Sequence, residues 1–337
     1  MRLATYNVEW FANLFDNNNN LVVDDGWSGR QDVTRAQQIE ALGIVFTAID
    51  ADAILIIEAP NTGRRQDTVE ALENFASAFD LRQRRAVMGF ANETHQEIAL
   101  LYDPGKIEAR HDPIGEEVGR KGSSDAPRFD GTFRIDLDID ATEDLVTFSK
   151  PPLELAMGTS SGNTFRLIGA HLKSKAPHGA KSHDEIMRIS IANRRKQLAQ
   201  AIWLRQRING HIEQGEPVML LGDLNDGPGL DDYENLFGRS SVEILLGSDM
   251  YDPHARRALQ RRLGAVPTTA RFRLPHEKRF LQALLDYAMV SPDLMNRRPQ
   301  WRIWHPFDDI RCWEIKELRE ALVIASDHFP LTLDIDL

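Results

Sequence analysis

The chain has 337 residues, of which 42% are hydrophobic and 27% charged; this is enough for a sizeable core without staples, and it excludes collagen-like, disordered and coiled-coil classes. Apolar runs such as residues 54–57 fall far short of the roughly 18 residues a membrane span needs. The net charge of −11 argues against a protein that coats nucleic acid non-specifically, and the one cysteine, Cys312, excludes an internal disulfide and a thiolate zinc site.

The opening MRLATYNVEW has one basic residue and no apolar stretch before its alternation begins. It reads as a strand over 2–10 rather than a secretion leader and, with no disulfide available, points to a cytoplasmic protein. Val33, Ile39, Leu42, Phe46 and Ile49 at helical spacing predict a helix over 33–49 with Asp32 as its cap. Residues 53–57 form an apolar run that stops at Glu58, a buried strand. A helix over 67–79 follows from the capping-box pair Asp67 and Glu70 and the stripe Val69, Leu72, Phe75 and Phe79. Strands are expected at 98–102 and 164–171, then a long helix over 185–208 and a strand over 218–222, with late strands at 284–290 and 330–337. Residues 110–161, rich in Gly, Pro, Asp and Ser, are the least regular, with a hairpin around 132–137 and a strand near 153–157. No repeat or linker divides the chain. The expectation is one domain over 1–337, of α/β class, with helices outside and two broadly similar halves.

Polar residues placed where an apolar strand stops are aimed at a common sheet edge. Asn7, Glu58 and His171 each follow such a run, as do Asp223 and Asn225 within Gly222-Asp223-Leu224-Asn225, while Asp327 and His328 precede the last strand. Singly, each has an ordinary structural account: a turn-forming Asn, a solvated Glu, a satisfied interior His. Jointly they are the inventory of divalent-metal phosphate chemistry. Glu, Asp and Asn offer oxygen ligands to Mg²⁺ or Mn²⁺, imidazoles bind phosphoryl oxygens, and a carboxylate orients water.

The set Thr5-Tyr6-Asn7, Ile57-Glu58, Gly169-Ala170-His171-Leu172, Gly222-Asp223-Leu224-Asn225, Asp286-Tyr287 and Ser326-Asp327-His328 spans nearly the whole chain. In content and order it resembles the endonuclease/exonuclease/phosphatase (DNase I-like) superfamily. Glu58-Ala59-Pro60-Asn61, the stretch from Glu97 to Pro104, Lys150-Pro151-Pro152-Leu153 and His171-Leu172-Lys173-Ser174-Lys175 are similar to bacterial DNase-like nucleases. His171 argues against the abasic-site endonucleases, which usually lack that histidine. Two departures stand out: Ile57 replaces the Gln of many members, and the bacterial relatives are commonly exported. The resemblance implies a four-layer sandwich of two mixed β-sheets flanked by helices, with the site at one end. It implies Glu58 as principal Mg²⁺ ligand, Mn²⁺ being a substitute, with Asn7 and Asp327 nearby. Asp223 would orient and deprotonate the attacking water, with Asn225 positioning it or the phosphate. His171 and His328 would bind non-bridging oxygens, with Asp286 holding His328 and Glu97 holding His171.

Two basic clusters gain meaning beside such a site. Lys173 and Lys175 directly follow His171 and are expected on substrate phosphate. Between His254 and Arg279, Arg256, Arg257, Arg261, Arg262, Arg271, Arg273, Lys278 and Arg279 face one acid, Glu277, and could track a nucleic-acid strand rather than form a solvated face. The function expected is a metal-dependent nuclease on DNA, with RNA as a further target; the alternative is a phosphatase or phosphodiesterase on a phosphoinositide, sphingomyelin or another small phosphate ester. A non-catalytic binding protein on the same scaffold fits poorly with a complete residue set. No obligate protein partner is evident.

Overall fold

The computed structural model describes residues 1–137, 143–177, 179–227, 238–260, 266–274 and 278–337. Its first half is built on a crossover: β1 (Arg2–Asn7), α1 (Arg35–Ile49) and β2 (Ala53–Ala59), with β1 and β2 parallel and Asn7 opposite Ile57. A parallel strand covered on both faces reads as an unbroken apolar run, which is why residues 53–57 show no alternation. The cap of α1 is Thr34 in a reciprocal capping box with Gln37, not Asp32, whose left-handed backbone (φ 57°) places it in the preceding turn. α2 (Thr68–Ala78) starts at Asp67 as expected, but the Glu70 side chain accepts from Asn19 instead of closing the box. β3 (Arg85–Met88) and β4 (Glu97–Tyr102) complete this half.

The second half opens with β5 (Ile107–His111), then a small pair, β6 (Phe133–Ile135) and β7 (Asp144–Val146), in place of the compact hairpin expected around 132–137. β8 (Leu153–Thr159) leads into a second crossover: β9 (Thr164–His171), α3 (His183–Glu213) and β10 (Val218–Asp223), with His171 opposite Asp223 in parallel register. α3 outruns the expected 185–208 at both ends, because Ser182 caps its start and the chain leaves it at Gly215 with φ 72°. An arm follows, β11 (Ala270–Leu274) against β12 (Arg279–Ala283), and the chain ends through β13 (Asp286–Val290), β14 (Gln300–Ile303), a helix over Lys316–Ala325 and β15 (Leu331–Asp334).

The strands form a six-stranded sheet, β14-β15-β1-β2-β4-β3, and a five-stranded sheet, β13-β10-β9-β8-β5. Each contains one parallel pair joined by a helix and flanked by antiparallel neighbours, so the halves are alike. Leu55, Ile57, Leu100, Leu167, Leu221 and Val290 fill the space between the sheets. α1, α2 and the Lys316–Ala325 helix cover the outer face of the first sheet, burying Phe46, Phe75 and Leu322. α3 and the Ser241–Leu246 helix cover the second around Trp203 and Leu245. The result is a four-layer α/β/β/α sandwich. The sheets meet closely at Gly169, where a Cβ would lie 2.6 Å from Leu55 Cδ1.

Gly222 turns the end of β10 with φ +135°, and a Cβ there would lie 2.0 Å from the Ala170 carbonyl oxygen. Backbone cannot yield as a flexible side chain can, so Gly222→Ala is expected to cost at least about 2 kcal/mol in urea unfolding. Gly158→Ala, where the new methyl meets only Glu108 Cβ at 3.9 Å, serves as the control and should stay within about 0.5 kcal/mol of wild type.

Candidate active site

Both parallel pairs end on the same side of the sandwich, and their last residues face a cleft of about 670 Å³. β1 delivers Asn7, β9 His171 and β10 Asp223. Glu58 arrives by a different device. The register of β2 against β4 shifts between Ile57 and Ala59, and Glu58 at that bulge has φ 61°. A bulge re-aims one side chain without disturbing the strand, and a non-glycine residue held in the left-handed region is a costly conformation that clusters at functional sites. Asn225 is held the same way, with φ 49°.

Asp223 is the centre of the arrangement. Its Oδ2 accepts from Asn7 Nδ2 at 3.0 Å and its Oδ1 from the Asn225 backbone N–H at 2.7 Å. Two imidazoles face the same Oδ2, His171 Nε2 at 3.6 Å and His328 Nε2 at 3.9 Å. His171 Nε2 also stands 4.0 Å from Glu58 Oε1, whose other oxygen accepts from Gln96 Nε2 at 2.7 Å. Behind His328, Nδ1 is bonded to Asp286 Oδ2 at 2.7 Å. β13 pairs Asp286 with Asp223 across the ladder, so one register sets both carboxylates around one ring. The Ser326 hydroxyl donates to the Asn7 carbonyl and accepts from the His328 N–H, tying the last motif to the first.

Burial pushes the Asp223 carboxyl up to about 7, with His328 opposing the shift. Burial likewise raises Glu58, against the pull of Lys150 and His328. The histidines diverge. Burial disfavours the charge of His328, but Asp286, Asp223 and Asp327 outweigh it and hold its pKa well above the ordinary value. His171 falls well below that value, through burial first and then the positive charges of Lys150 and His328. The two rings are thus pushed in opposite directions, His328 toward its charged form and His171 toward its neutral form.

Every site residue expected from the sequence can be placed. Asn7, Glu58, His171, Asp223, Asn225, Asp327 and His328 line the cleft, and Asp286 backs it. Glu97 requires a correction. Its carboxylate accepts from Asn92 Nδ2 at 2.6 Å, and the group packed on His171 is Lys150. Lys175 reaches the cleft, but its ammonium donates to Asp226 at 2.6 Å, so it neutralises a buried carboxylate. Lys173 is fixed through its backbone to Gln200 and Gln197. Arg256 stacks on Tyr251 at the Val290 end of β13, the end remote from Asp286, whereas Arg271 and Arg273 lie on the arm beside His328. Arg261, Arg262 and Glu277 lie outside the described residues. Lys150, Gln96, Asp226 and Arg194 carried no role in the sequence reading. Lys150 had a signal, the Lys-Pro-Pro-Leu segment ahead of β8. Arg194, on α3, had none beyond a charge within a helix.

Among the described residues, Asp223, Asp286 and His328 bring ligand-type atoms within 4.8 Å of one another, a buried set that could hold a metal. Asp286 and His328 are engaged with each other, however, and Glu58, Asp327 and Asn7 are among the oxygen donors that line the cleft. Asn7 Oδ1 is buried without a hydrogen-bond partner while its Nδ2 is tied to Asp223. A partnerless buried carbonyl oxygen beside a buried carboxylate suits a hard divalent cation.

A four-layer sandwich with carboxylates, amides and imidazoles gathered at the ends of both parallel pairs is a DNase I-like phosphoesterase architecture. A model of the Endonuclease/Exonuclease/phosphatase family matches residues 4–328, and the chain belongs to that family of hydrolytic phosphoesterases. No curated protein sequence matches it. Among solved structures, truncated TDP2 of Caenorhabditis elegans is similar at a TM-score of 0.52 and 14% identity, over 100% of this chain and 97% of that one. An AP endonuclease from Archaeoglobus fulgidus matches at 0.52 and 12%, over 100% of both chains. The 3′ phosphatase NExo from Neisseria, bound to product DNA hairpin, matches at 0.50 and 14%, over 100% of both. At such identities the likeness is one of fold.

Burial raises Glu97 to about 7, against hydrogen bonds from Asn92 and Thr62. The unfolded value is about 4.3, so between the two the folded chain binds more protons than the unfolded one, and Glu97 removes stability as pH rises through that window. Glu97→Gln should therefore gain stability over wild type at pH 8 and show no such gain at pH 4.5, read from urea midpoints at both values. An equal difference at the two values would contradict this.

Proposed function

We propose that the chain is a divalent-metal-dependent phosphodiester hydrolase that cleaves DNA, and RNA as a further target, by attack of water at phosphorus. The observation that carries this reading is the convergence of His171 Nε2 and His328 Nε2 on one Asp223 oxygen at 3.6 and 3.9 Å. Asp223 takes the proton of the attacking water; Asn7 and the Asn225 N–H hold its carboxylate in place, and burial raises its basicity. His328, kept charged by Asp286, and His171 donate to the non-bridging oxygens where negative charge builds up. Glu58, Asn7 and Asp327 would hold Mg²⁺, or Mn²⁺ in its place. Bound there, the ion would act as a Lewis acid that neutralises phosphoryl charge.

The arm favours a nucleic acid over a lipid headgroup. It is pinned to the catalytic edge by the Ala270–His328 bridge and by the Arg271 N–H to the Asp327 carbonyl at 2.7 Å. It carries Arg271, Arg273, Lys278 and Arg279 interleaved with Phe272, Phe280 and Leu281, and Phe272 packs edge-on to His328. Arg271 lies over the Phe280 ring at 3.5 Å from its centroid. Cations for the backbone alternating with rings for bases is the composition of a single-strand platform.

His171→Ala and His328→Ala should each lower kcat by about 10²–10³-fold, the cost of one oxyanion donor in other hydrolases, and Asp223→Asn by about 10²–10⁴-fold, the share of a general base. The assay offers supercoiled plasmid, linear DNA, RNA, and vesicles with phosphoinositide or sphingomyelin, with Mg²⁺, Mn²⁺ or EDTA. Nicking of closed circles that EDTA abolishes is the expected result. Turnover confined to lipid headgroups, or wild-type nicking by Asp223→Asn, would overturn it.

A further inference from the structure

Two aromatic residues reach the cleft, and only one of them lies on the arm. Phe272 comes from the arm, beside His328; Trp10 comes from the other end of the chain, just before the short helical turn Phe11–Leu14. Its aromatic neighbours Tyr6 and Phe11 are fully buried, whereas Trp10 keeps 46% of its surface exposed. Trp10, Glu58 and Gln96 line both the cleft and a smaller adjoining hollow of about 100 Å³, so the indole stands where the one continues into the other.

This ring is held in place without being buried. The Trp10 backbone is left-handed, φ 61° and ψ 24°, a genuine outlier for so bulky a residue. Gly29, itself at φ +109°, lies so close to the indole that a Cβ there would stand 2.6 Å from Trp10 Cγ and 2.9 Å from Cδ2. Trp10 Nε1 donates to Glu9 Oε1 at 3.0 Å, and the other Glu9 oxygen accepts from Arg30. The Glu9 N–H in turn donates to the Ser326 hydroxyl at 3.2 Å, the group that ties Asn7 to His328. The indole is therefore referenced to the same hydroxyl as the catalytic motifs. Core packing does not account for a strained, braced ring that remains half in solvent, and outliers of this kind cluster at ligand sites.

We propose that Trp10 is a base-stacking platform for the nucleotide next to the scissile phosphate, on the Glu58 side of the cleft. The inference rests on the nucleic-acid reading above and narrows it. Every base offers a π-face to an aromatic ring, but only when it is out of its own stack, as in a single strand or a locally opened duplex. Phosphoinositide and sphingomyelin headgroups have no such face.

The test compares short fluorescein-labelled single strands by anisotropy: oligothymidylate, and a strand of equal length and charge built from base-free tetrahydrofuran units. The chain carries Asp223→Asn, with Mg²⁺ present, so that binding is read without cutting. Trp10→Leu keeps apolar bulk and removes the π-face. It should weaken oligothymidylate by about 5–150-fold, the share of one stacked base, and move the base-free strand by less than about twofold; Trp10→Phe should recover most of the loss. Trp27→Phe alters an indole that is 71% exposed but does not line the cleft, and should leave both Kd values unchanged. Weakening of the base-free strand as great as that of oligothymidylate, as from lost fold, or no weakening of either, overturns the proposal and leaves the phosphodiesterase reading standing. Base-dependent binding through Trp10 with no turnover by the wild-type chain would defeat the hydrolase reading alone. If the wild-type chain neither binds nor cuts oligothymidylate, the nucleic-acid reading falls and the platform with it.

Discussion

The hydrogen bond from Asn7 Nδ2 to Asp223 Oδ2, 3.0 Å long and spanning 216 residues of sequence, joins the end of one sheet to the end of the other. Without it the molecule would have two strand edges, each with part of a polar set. With it, the cleft has a common floor to which the carboxylate, amide and imidazole groups are referenced. The bond is buried, so either partner left alone would bear a desolvation cost of about 1–3 kcal/mol, more for the carboxylate. The geometry is held by what surrounds it: Ser326 locks the Asn7 carbonyl, Gly222 bends β10 without a Cβ, and the β10–β13 ladder sets Asp286 opposite Asp223. Positioning is thus delegated to backbone register, which is stiffer than any side chain.

The Gly222-Asp223-Leu224-Asn225-Asp226 segment shows how two aspartates three residues apart acquire different chemistry. Asp223 faces the cleft and is held by neutral donors, which leaves it raised and basic. Asp226 turns inward and is saturated: Oδ1 accepts from Lys175, Arg194 and the Gly227 N–H, and Oδ2 from the Ser241 N–H. Arg194 is itself buried, so this carboxylate and guanidinium meet away from water, in the same cluster as the Lys175 ammonium. Lys175 therefore belongs to the scaffold of the loop that carries Asn225. Adjacency to His171 in sequence is no measure of which group a flexible lysine will reach.

What could be read in advance follows the same physics. The strand ends were legible because burial on both faces forces an unbroken apolar run, and the first polar residue after it, as at Glu58 or Asp223, marks the sheet edge. The similarity of the halves was legible for the same reason. The partner of Glu97 was not, because Asn92 reaches it from a loop with no periodicity. The Lys-Pro-Pro-Leu segment marked Lys150, but its contact with His171 was not legible, because a lysine before two prolines gives no sign of whether it points outward or toward a ring 21 residues on. The cap of α1 moved from Asp32 to Thr34 because the reciprocal bond with Gln37 satisfies two orphan N–H groups at once. The arm was not legible, because its two short strands form a ribbon outside both large sheets, tied to them through the Ala270–His328 bridge.

Charge in this chain is sorted by position more than by amount. The net of −11 hides a cleft lined by acids together with Lys150, Lys175 and Arg194, to which the arm contributes Phe272, Leu281 and Ala283. The basic stretch leading to Asp286 divides: Arg256, stacked on Tyr251, lies at the far end of a strand about 13 Å long, while Arg271 and Arg273 are held at the catalytic edge. The arm is anchored to the Asp327 carbonyl and the His328 bridge, so its cations are tied to the same short motif that carries the ring held by Asp286.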